Sequence, residues 1–172
     1  MAVSKQMGPV AGSSAGEPAY VPALEAAYGA PSQAAFGSAV FHEQLKATDS
    51  LEQAALAKYK YFIGDQWERF GEAAWMGPWK EVYSRQSGAK HDIVAELRGL
   101  ADRGARLSAS VILDDVENAE AARAALSAAF DDSAVTELVV YNVGDGGAMS
   151  GLLVAGRRAE TGEATFLVFL LD

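Results

Sequence analysis

The feature that most constrains the fold is an apolar run near the C-terminal end of the chain, Thr165–Leu171, with the sequence TFLVFLL. Almost every position in it is apolar, whereas a strand with one face in water alternates between apolar and polar residues. A run of this kind is typical of a central strand that is covered on both faces. We therefore expect a sheet that packs against helices, with this strand inside it.

Two segments before this run predict further strands. Thr136–Val143 (TELVVYNV) and Gly151–Gly156 (GLLVAG) are rich in residue types that strands favour. Only short connections separate these two segments from each other and from the apolar run. Short connections predict antiparallel pairing, so the three strands should form a meander.

The segment Leu107–Leu113 (LSASVIL) predicts a fourth strand. A helix from about Glu117 to Phe130 should follow it, with Asp115 as the cap. Strands joined by a helix run parallel when they share a sheet, and their crossover is right-handed. Residues 107–172 therefore predict a βαβββ unit with a mixed four-stranded sheet.

The middle of the chain, residues 48–106, predicts about three helices that cover this sheet. A capping box that starts at Ser50 begins the first helix, and Gly64 ends it. A second capping box, Asp65 with Glu68, begins the next helix. Helices in the middle of the sequence, followed by strands in its C-terminal part, indicate the α+β class.

The first part of the chain has a different composition. Four of the five prolines lie before residue 32, among glycine, alanine and serine residues. This composition is typical of an arm without a packed core, although Pro22 and Pro31 each suit the first position of a short helix. We expect residues 1–47 to form an extended or partly ordered arm and residues 48–172 to form a single α+β domain.

The net charge of the chain is concentrated in the predicted sheet unit. Eleven acidic and three basic residues lie between Leu107 and Asp172. Residues 48–106 carry nine charges of each sign, so almost all of the formal net charge of −9 belongs to the C-terminal unit. A polarised charge distribution selects partners and ions by their sign.

The predicted topology gathers carboxylates at one end of the sheet. Asp114 and Asp115 follow the first predicted strand, Asp145 follows the second, and Asp172 follows the last. These three strands would point the same way, so their ends would meet at one edge. The glycine-rich loop 144–150 (GDGGAMS) would lie there as well.

Three interpretations of these carboxylates remain open. They form an acidic edge that binds a basic partner protein, or they hold Ca²⁺ or Mg²⁺, or they are ordinary turn and helix-start residues. No EF-hand spacing occurs, so we predict no metal site. In the first interpretation the binding residues are Asp114, Asp115, Asp145, Gly146, Gly147 and Ser150.

The glycine-rich loop follows a strand, as phosphate-binding loops do. However, neither GxGxxG opening a helix nor GxxxxGK[ST] is present, and a strand follows the loop. The carboxylate of Asp145 would also repel phosphate. We expect a hairpin loop in which glycines supply positive φ angles.

The second predicted helix carries three tryptophans within thirteen residues, and Gly77-Pro78 should kink or break it. Such a stripe is usually core, but indole rings also favour pocket lips and interfaces because their N–H groups need acceptors. A ligand pocket between this helix and the sheet is therefore an alternative site. Its residues would be Trp67, Trp75, Trp79, Tyr141 and Asn142.

Composition narrows the remaining classes of function. A net charge of −9 and a pI near 4.7 argue against nucleic acid and anionic membranes as partners. The absence of cysteine excludes disulfides and thiolate chemistry. The two histidines, His42 and His91, form no zinc motif, and no nucleophile elbow surrounds Ser150. With no transmembrane stretch and no secretory signal in the sequence, we expect a cytoplasmic protein without a cofactor.

These observations favour a non-catalytic protein-interaction module, such as an inhibitor, an immunity-like protein or an adaptor. It would dock a basic partner through the acidic sheet edge and the glycine-rich loop. The alternative is a small-molecule-binding domain or enzyme with a tryptophan-lined pocket.

Overall fold

The computed structural model describes residues 17–172. Seven helices in this part of the chain, α1 to α7, span Tyr20–Tyr28, Leu51–Ile63, Gln66–Phe70, Glu72–Met76, Ile93–Arg98, Arg103–Asp114 and Ala119–Phe130. Five strands, β1 to β5, span Gly37–Gln44, Lys80–Ser84, Glu137–Gly144, Ser150–Arg157 and Glu163–Leu171. The class is α+β, as the sequence predicts.

The five strands form one open antiparallel sheet in the order β1-β5-β4-β3-β2. The apolar run of the sequence is β5, which lies between β1 and β4 and is buried from Ala164 to Leu170. The prediction of a strand covered on both faces is therefore confirmed. The predicted strands at Thr136–Val143 and Gly151–Gly156 correspond to β3 and β4.

Helices pack on both faces of the sheet. The first face, which includes Leu167 and Phe169 of β5, packs against α1, α5, α6 and α7. The second face, which includes Phe166 and Val168, packs against α2, α3 and α4. Because successive strand residues point to opposite faces, an unbroken apolar sequence supplies both cores at once.

The predicted strand Leu107–Leu113 is wrong, because these residues belong to α6. Asp102 caps this helix by accepting a hydrogen bond from the Ala105 N–H group at 2.9 Å. Buried residues recur at helical spacing, and Leu107 lies on the opposite, exposed side. Within residues 17–172 every strand pair is antiparallel, so the sheet is not mixed as predicted.

The predicted arm contains two elements of the fold. Strand β1 pairs with β5 over its full length, and α1 packs on the first face through Leu24 and Tyr28. Composition misleads here because Pro22 lies in the first turn of α1, where a missing N–H group interrupts no intrahelical hydrogen bond, and Pro31 lies in the connection between α1 and β1 rather than at the start of a helix. Residues 1–16 of the predicted arm lie outside the described residues.

The remaining strand, β2, differs from the prediction, in which the second helix continues through Val82 and Tyr83. Gly77-Pro78 does not kink that helix but ends it, since α4 stops at Met76 and β2 begins at Lys80. The polar character of β2 fits its place at the edge of the sheet. Helix α2, the first helix predicted for residues 48–106, begins and ends as predicted. Ser50 Oγ accepts a hydrogen bond from Gln53 N–H at 3.2 Å, and Gly64 follows the last residue.

Candidate functional site

The sheet register brings the glycine-rich loop and the end of β5 together. Gly144 pairs with Ser150, which in turn pairs with Leu171. Asp145 and Asp172 therefore lie at the same end of the sheet, which we call the acidic end: loop residues 144–150 with Leu171 and Asp172. The sequence placed both aspartates there, although its reasoning relied partly on a parallel strand that does not exist.

The loop at the acidic end is held in shape by its own aspartate. Asp145 Oδ1 accepts hydrogen bonds from the N–H groups of Gly147 at 2.7 Å and Met149 at 3.1 Å. At Gly144 φ is +143°, and an added Cβ would lie 2.4 Å from the Met149 carbonyl oxygen, so only glycine fits. The tip, Gly146 to Ala148, is exposed. The loop is thus ordered at its base and open to a partner at its tip.

An apolar depression of about 200 Å³ lies on the first face at this end. Leu107 and Val111 of α6 form one side, and Ser150 with Leu171 forms the other. Asp172 stands at its rim, and 58% of Leu107 is exposed. Sequence reasoning missed this feature because it placed Leu107 in a strand, although Leu107 and Val111 already show helical spacing.

The other two predicted carboxylates, Asp114 and Asp115, lie at the end of α6, where it turns towards α7. Asp114 is paired with Arg98 at 2.9 Å and Arg123 at 3.3 Å. Its hydrogen bonds from Arg98 lower the pKa of Asp114 below its ordinary value. Asp115 is exposed, and its N–H bonds the carbonyl oxygen of Val111. Of these two carboxylates, only that of Asp115 is free of salt bridges to other described residues.

The opposite end of the sheet, which we call the arginine end, is defined by Arg85, Arg157 and Arg158. Arg85 donates to the Glu96 carboxylate at 2.8 and 2.6 Å, and Tyr83 donates to it at 2.5 Å. Only 4% of the Arg85 side chain and 9% of the Glu96 side chain are exposed. Burial opposes ionisation of Glu96, but these donors outweigh it and lower its pKa.

The other two arginines also find partners within the fold. Arg157 is buried and donates to the carbonyl oxygens of Lys46 and Asp49. Arg158 pairs with Asp132 at 3.2 Å and lies 4.6 Å from the centre of the Tyr20 ring. Charge at the arginine end is therefore used to hold helices and loops onto the sheet.

His42 is a residue of β1 near the arginine end, and it pairs with Thr165 of β5. Its Nδ1 is 2.9 Å from Thr165 Oγ1, and its Nε2 is 3.8 Å from a Glu163 carboxylate oxygen. Burial lowers the pKa of His42 below its ordinary value, although Glu163 acts in the opposite direction. The imidazole thus makes a polar contact across the β1–β5 pair, and its burial disfavours the protonated form.

The predicted tryptophan pocket is largely filled by its own rings. Trp79 stacks on Tyr141 at 4.6 Å between ring centres and on Tyr59 at 5.5 Å. Trp75 is buried beside them, and its indole N–H donates to the Gln66 carbonyl oxygen at 2.9 Å. Strand alternation directs Asn142 to the opposite face from Tyr141. Of the residues predicted for a pocket, Trp67 lines a surface cavity of about 600 Å³.

The stack is joined to the glycine-rich loop through a single hydroxyl group. Tyr59 Oη lies 2.9 Å from the carbonyl oxygens of both Trp75 and Gly144, and it accepts from the Gly144 N–H at 3.1 Å. Burial raises the pKa of this hydroxyl well above its ordinary value. The aromatic residues therefore position the base of the acidic-end loop.

Two further structural findings bear on function. Within residues 17–172, no three His, Cys, Asp or Glu side chains are grouped so as to hold a metal ion. None of the helices in this range combines the length and apolar character needed to cross a membrane.

The fold and site therefore define an α+β protein with an antiparallel sheet covered on both faces and an exposed acidic end. No protein family model, no curated protein and no solved structure matches the chain.

Proposed function

We propose that the protein is a non-catalytic, cytoplasmic interaction module that docks a basic partner at its acidic end. One observation carries this proposal. Asp172 lines an exposed apolar depression, Asp145 lies in the neighbouring loop at the same end of the sheet, and no salt bridge between described residues involves either of them. Charges that are left unpaired beside exposed apolar surface are available to a partner.

The chemistry of the depression indicates what the partner presents. An apolar side chain would fill the space beside Leu107 and Val111, where burial stabilises the complex. Lysine or arginine residues on either side of that side chain would reach Asp145 and Asp172. Exposed charges of this kind steer association and select the sign of the partner more than they raise affinity.

The loop geometry supports the same proposal. Asp145 uses Oδ1 to hold the loop, so its position is fixed before a partner arrives. A binding loop with an ordered base loses less conformational entropy on association than a disordered one. The exposed tip at Gly146 and Gly147 lets a partner backbone approach closely because no side chains intervene.

The proposal is tested with two fluorescently labelled peptides, Lys-Lys-Leu-Lys-Lys and Glu-Glu-Leu-Glu-Glu, by fluorescence anisotropy. The basic peptide should bind, the acidic one should not, and added salt should weaken binding. Asp145→Asn combined with Asp172→Asn should lower the affinity for the basic peptide by about fivefold, as expected for exposed ion pairs. Leu107→Ser should weaken it as well.

A matched control removes the same charge from the arginine end, with Glu137→Gln combined with Glu160→Gln. Both side chains are exposed, and although Glu137 lies 3.6 Å from Arg157, that guanidinium keeps its bonds to the Lys46 and Asp49 carbonyls, so the fold should tolerate the change. Equal loss of binding from the two double variants would show that only net charge matters and would refute a specific acidic-end site.

The alternative function, a small-molecule site, retains one supporting observation. Trp67 lines a cavity of about 600 Å³ between α2 and α3, within the size range of ligand pockets. This cavity lies on the second face and is separate from the depression beside α6.

A further inference from the structure

An open cavity lies between α2 and α3 on the described surface. Its volume is about 600 Å³, and a second cavity of about 210 Å³ shares Gln33 and Asp65 with it. The end of α2 forms one wall, α3 forms another, and the segment before β1 supplies Gln33. Ligand pockets commonly have volumes of about 300–1,000 Å³, so this cavity is large enough for a small molecule or the end of a peptide.

An indole N–H group on this cavity has no acceptor among the described residues. Only 4% of Trp67 is exposed, yet its Nε1 makes no hydrogen bond to any described residue, whereas Trp75 and Trp79 each have a partner. The only described side-chain oxygen or nitrogen that is both buried and unpaired is Tyr20 Oη. The Trp67 N–H is therefore not sealed from solvent, and Trp67 lines this cavity.

The charged groups on the cavity are also unused by the fold. Asp65 stands at the N-cap of α3, but its side chain makes no capping hydrogen bond, so the capping box predicted with Glu68 does not form. Among the described residues, neither carboxylate enters a salt bridge. Lys60 lies 5.7 Å from the centre of the Trp67 ring and likewise has no carboxylate partner in residues 17–172.

We propose that this cavity binds a ligand that carries a carboxylate next to a basic group, as free arginine does and as a peptide ending in arginine does. The Trp67 N–H and the Lys60 ammonium are the donors for the carboxylate. Asp65 and Glu68 are the acceptors for the basic group. Tyr61, which is exposed at the rim, supplies an aromatic face for the guanidinium.

The groups match because none of the three charged side chains has an oppositely charged partner among the described residues, and the indole N–H has no acceptor there. A buried indole donor and a free N-cap carboxylate each gain a charge-assisted hydrogen bond on binding, and such bonds are stronger than neutral ones. A ligand of a single charge would satisfy only one side of the cavity. This inference is independent of the acidic-end proposal, because no residue is shared between the two sites.

The test uses four probes with the full-length chain, in isothermal titration and in thermal unfolding. L-arginine and the peptide Gly-Gly-Arg carry both groups, whereas agmatine and the C-terminal amide of Gly-Gly-Arg lack the carboxylate. At least one of the first two should bind and raise the melting temperature. The two probes without a carboxylate should bind about tenfold more weakly, since each loses a charge-assisted bond. Comparison of arginine with Gly-Gly-Arg distinguishes a free amino acid from a peptide end.

Two variants assign the binding to this cavity. Trp67→Phe deletes the N–H while keeping an aromatic ring, and Asp65→Asn removes an exposed charge without affecting the core. Each should weaken binding by about tenfold. Glu72→Gln on α4, and Asp145→Asn at the acidic end, should leave it unchanged. No binding by either arginine probe, or equal binding by Asp65→Asn and the unmodified protein, would overturn the proposal.

Discussion

The two ends of the sheet use charge in opposite ways. At the arginine end, Arg85, Arg157 and Arg158 all donate to carboxylates or backbone carbonyls of neighbouring elements. At the acidic end, Asp145 holds only its own loop, and Asp172 lies at the rim of an exposed depression. The first arrangement stabilises the fold, whereas the second leaves charge for a partner.

This difference shows why the charge pattern of the sequence is informative only after the fold is known. Asp114 and Asp145 look alike in the sequence, but Arg98 and Arg123 neutralise Asp114. A carboxylate with internal cationic partners contributes little to an external field, while an unpaired one contributes fully. The candidate site is therefore smaller than the acidic sequence suggests.

The largest expected effect comes from breaking the arginine end. Arg85→Ala leaves Glu96 buried without its cation, and loss of one partner of a buried ion pair costs about 3–5 kcal/mol. Urea denaturation should show this loss of unfolding free energy. Arg98→Ala, which removes an exposed ion pair, should barely change the midpoint. A loss for Arg85→Ala as small as that for Arg98→Ala would contradict a structural role for the arginine end.

A smaller effect should follow when the support of the acidic-end loop is removed. Tyr59→Phe leaves a buried N–H and carbonyl of Gly144 without their hydroxyl partner, which costs about 1–3 kcal/mol. Tyr61→Phe is the control, because Tyr61 is exposed on the same helix. Amide hydrogen exchange at Gly144 should quicken in Tyr59→Phe alone. Unchanged exchange there would show that the stack does not position the loop.

The unfolding free energy should also decrease in mild acid because of His42 at the arginine end. Because burial lowers the folded pKa of His42, the unfolded chain binds more protons at and below about pH 6.5, so stability falls as the pH drops through this range. Above about pH 6.5 His42 is neutral in both states, so no stability is lost there. His42→Gln should have a flatter dependence of unfolding free energy between about pH 7 and pH 5.5. Identical profiles would show that His42 is as solvated when folded as when unfolded.

The smallest expected effect on stability is at the acidic end. Asp145→Asn keeps an Oδ1 acceptor for the loop, and Asp172 is exposed. The combined variant should change the unfolding free energy by less than about 0.5 kcal/mol, as surface substitutions usually do. A large loss in urea denaturation would mean that these carboxylates are structural, which removes the contrast between the two ends.

The sequence predicts the C-terminal strands well because their pattern is decided by burial on both faces. β5 is apolar throughout, and β3 and β4 are flanked by glycines and turn residues. It fails for α6, where Val111 and Ile112 resemble a strand although Ala105, Ala109 and Leu113 recur every four residues. Helical spacing of small residues is a weak signal next to a pair of β-branched residues.

The candidate site was predictable in part. The glycine-rich loop and Asp172 follow from strand ends, which are local features. The depression between α6 and β5 is formed by residues about sixty positions apart in the sequence. The cavity between α2 and α3 depends on a segment before β1 that the sequence predicts to be part of an arm. Neither contact has a local signature, because both depend on how helices pack on the sheet.

The central claim, that the acidic end is a binding surface and the arginine end is not, is tested most directly by NMR titration with the Lys-Lys-Leu-Lys-Lys peptide. Amide shifts should move at Gly144–Gly151, Leu107–Val111 and Leu171, while those of Arg157–Gly162 stay in place. Shifts spread evenly over all exposed carboxylates, or concentrated at the arginine end, would contradict the claim.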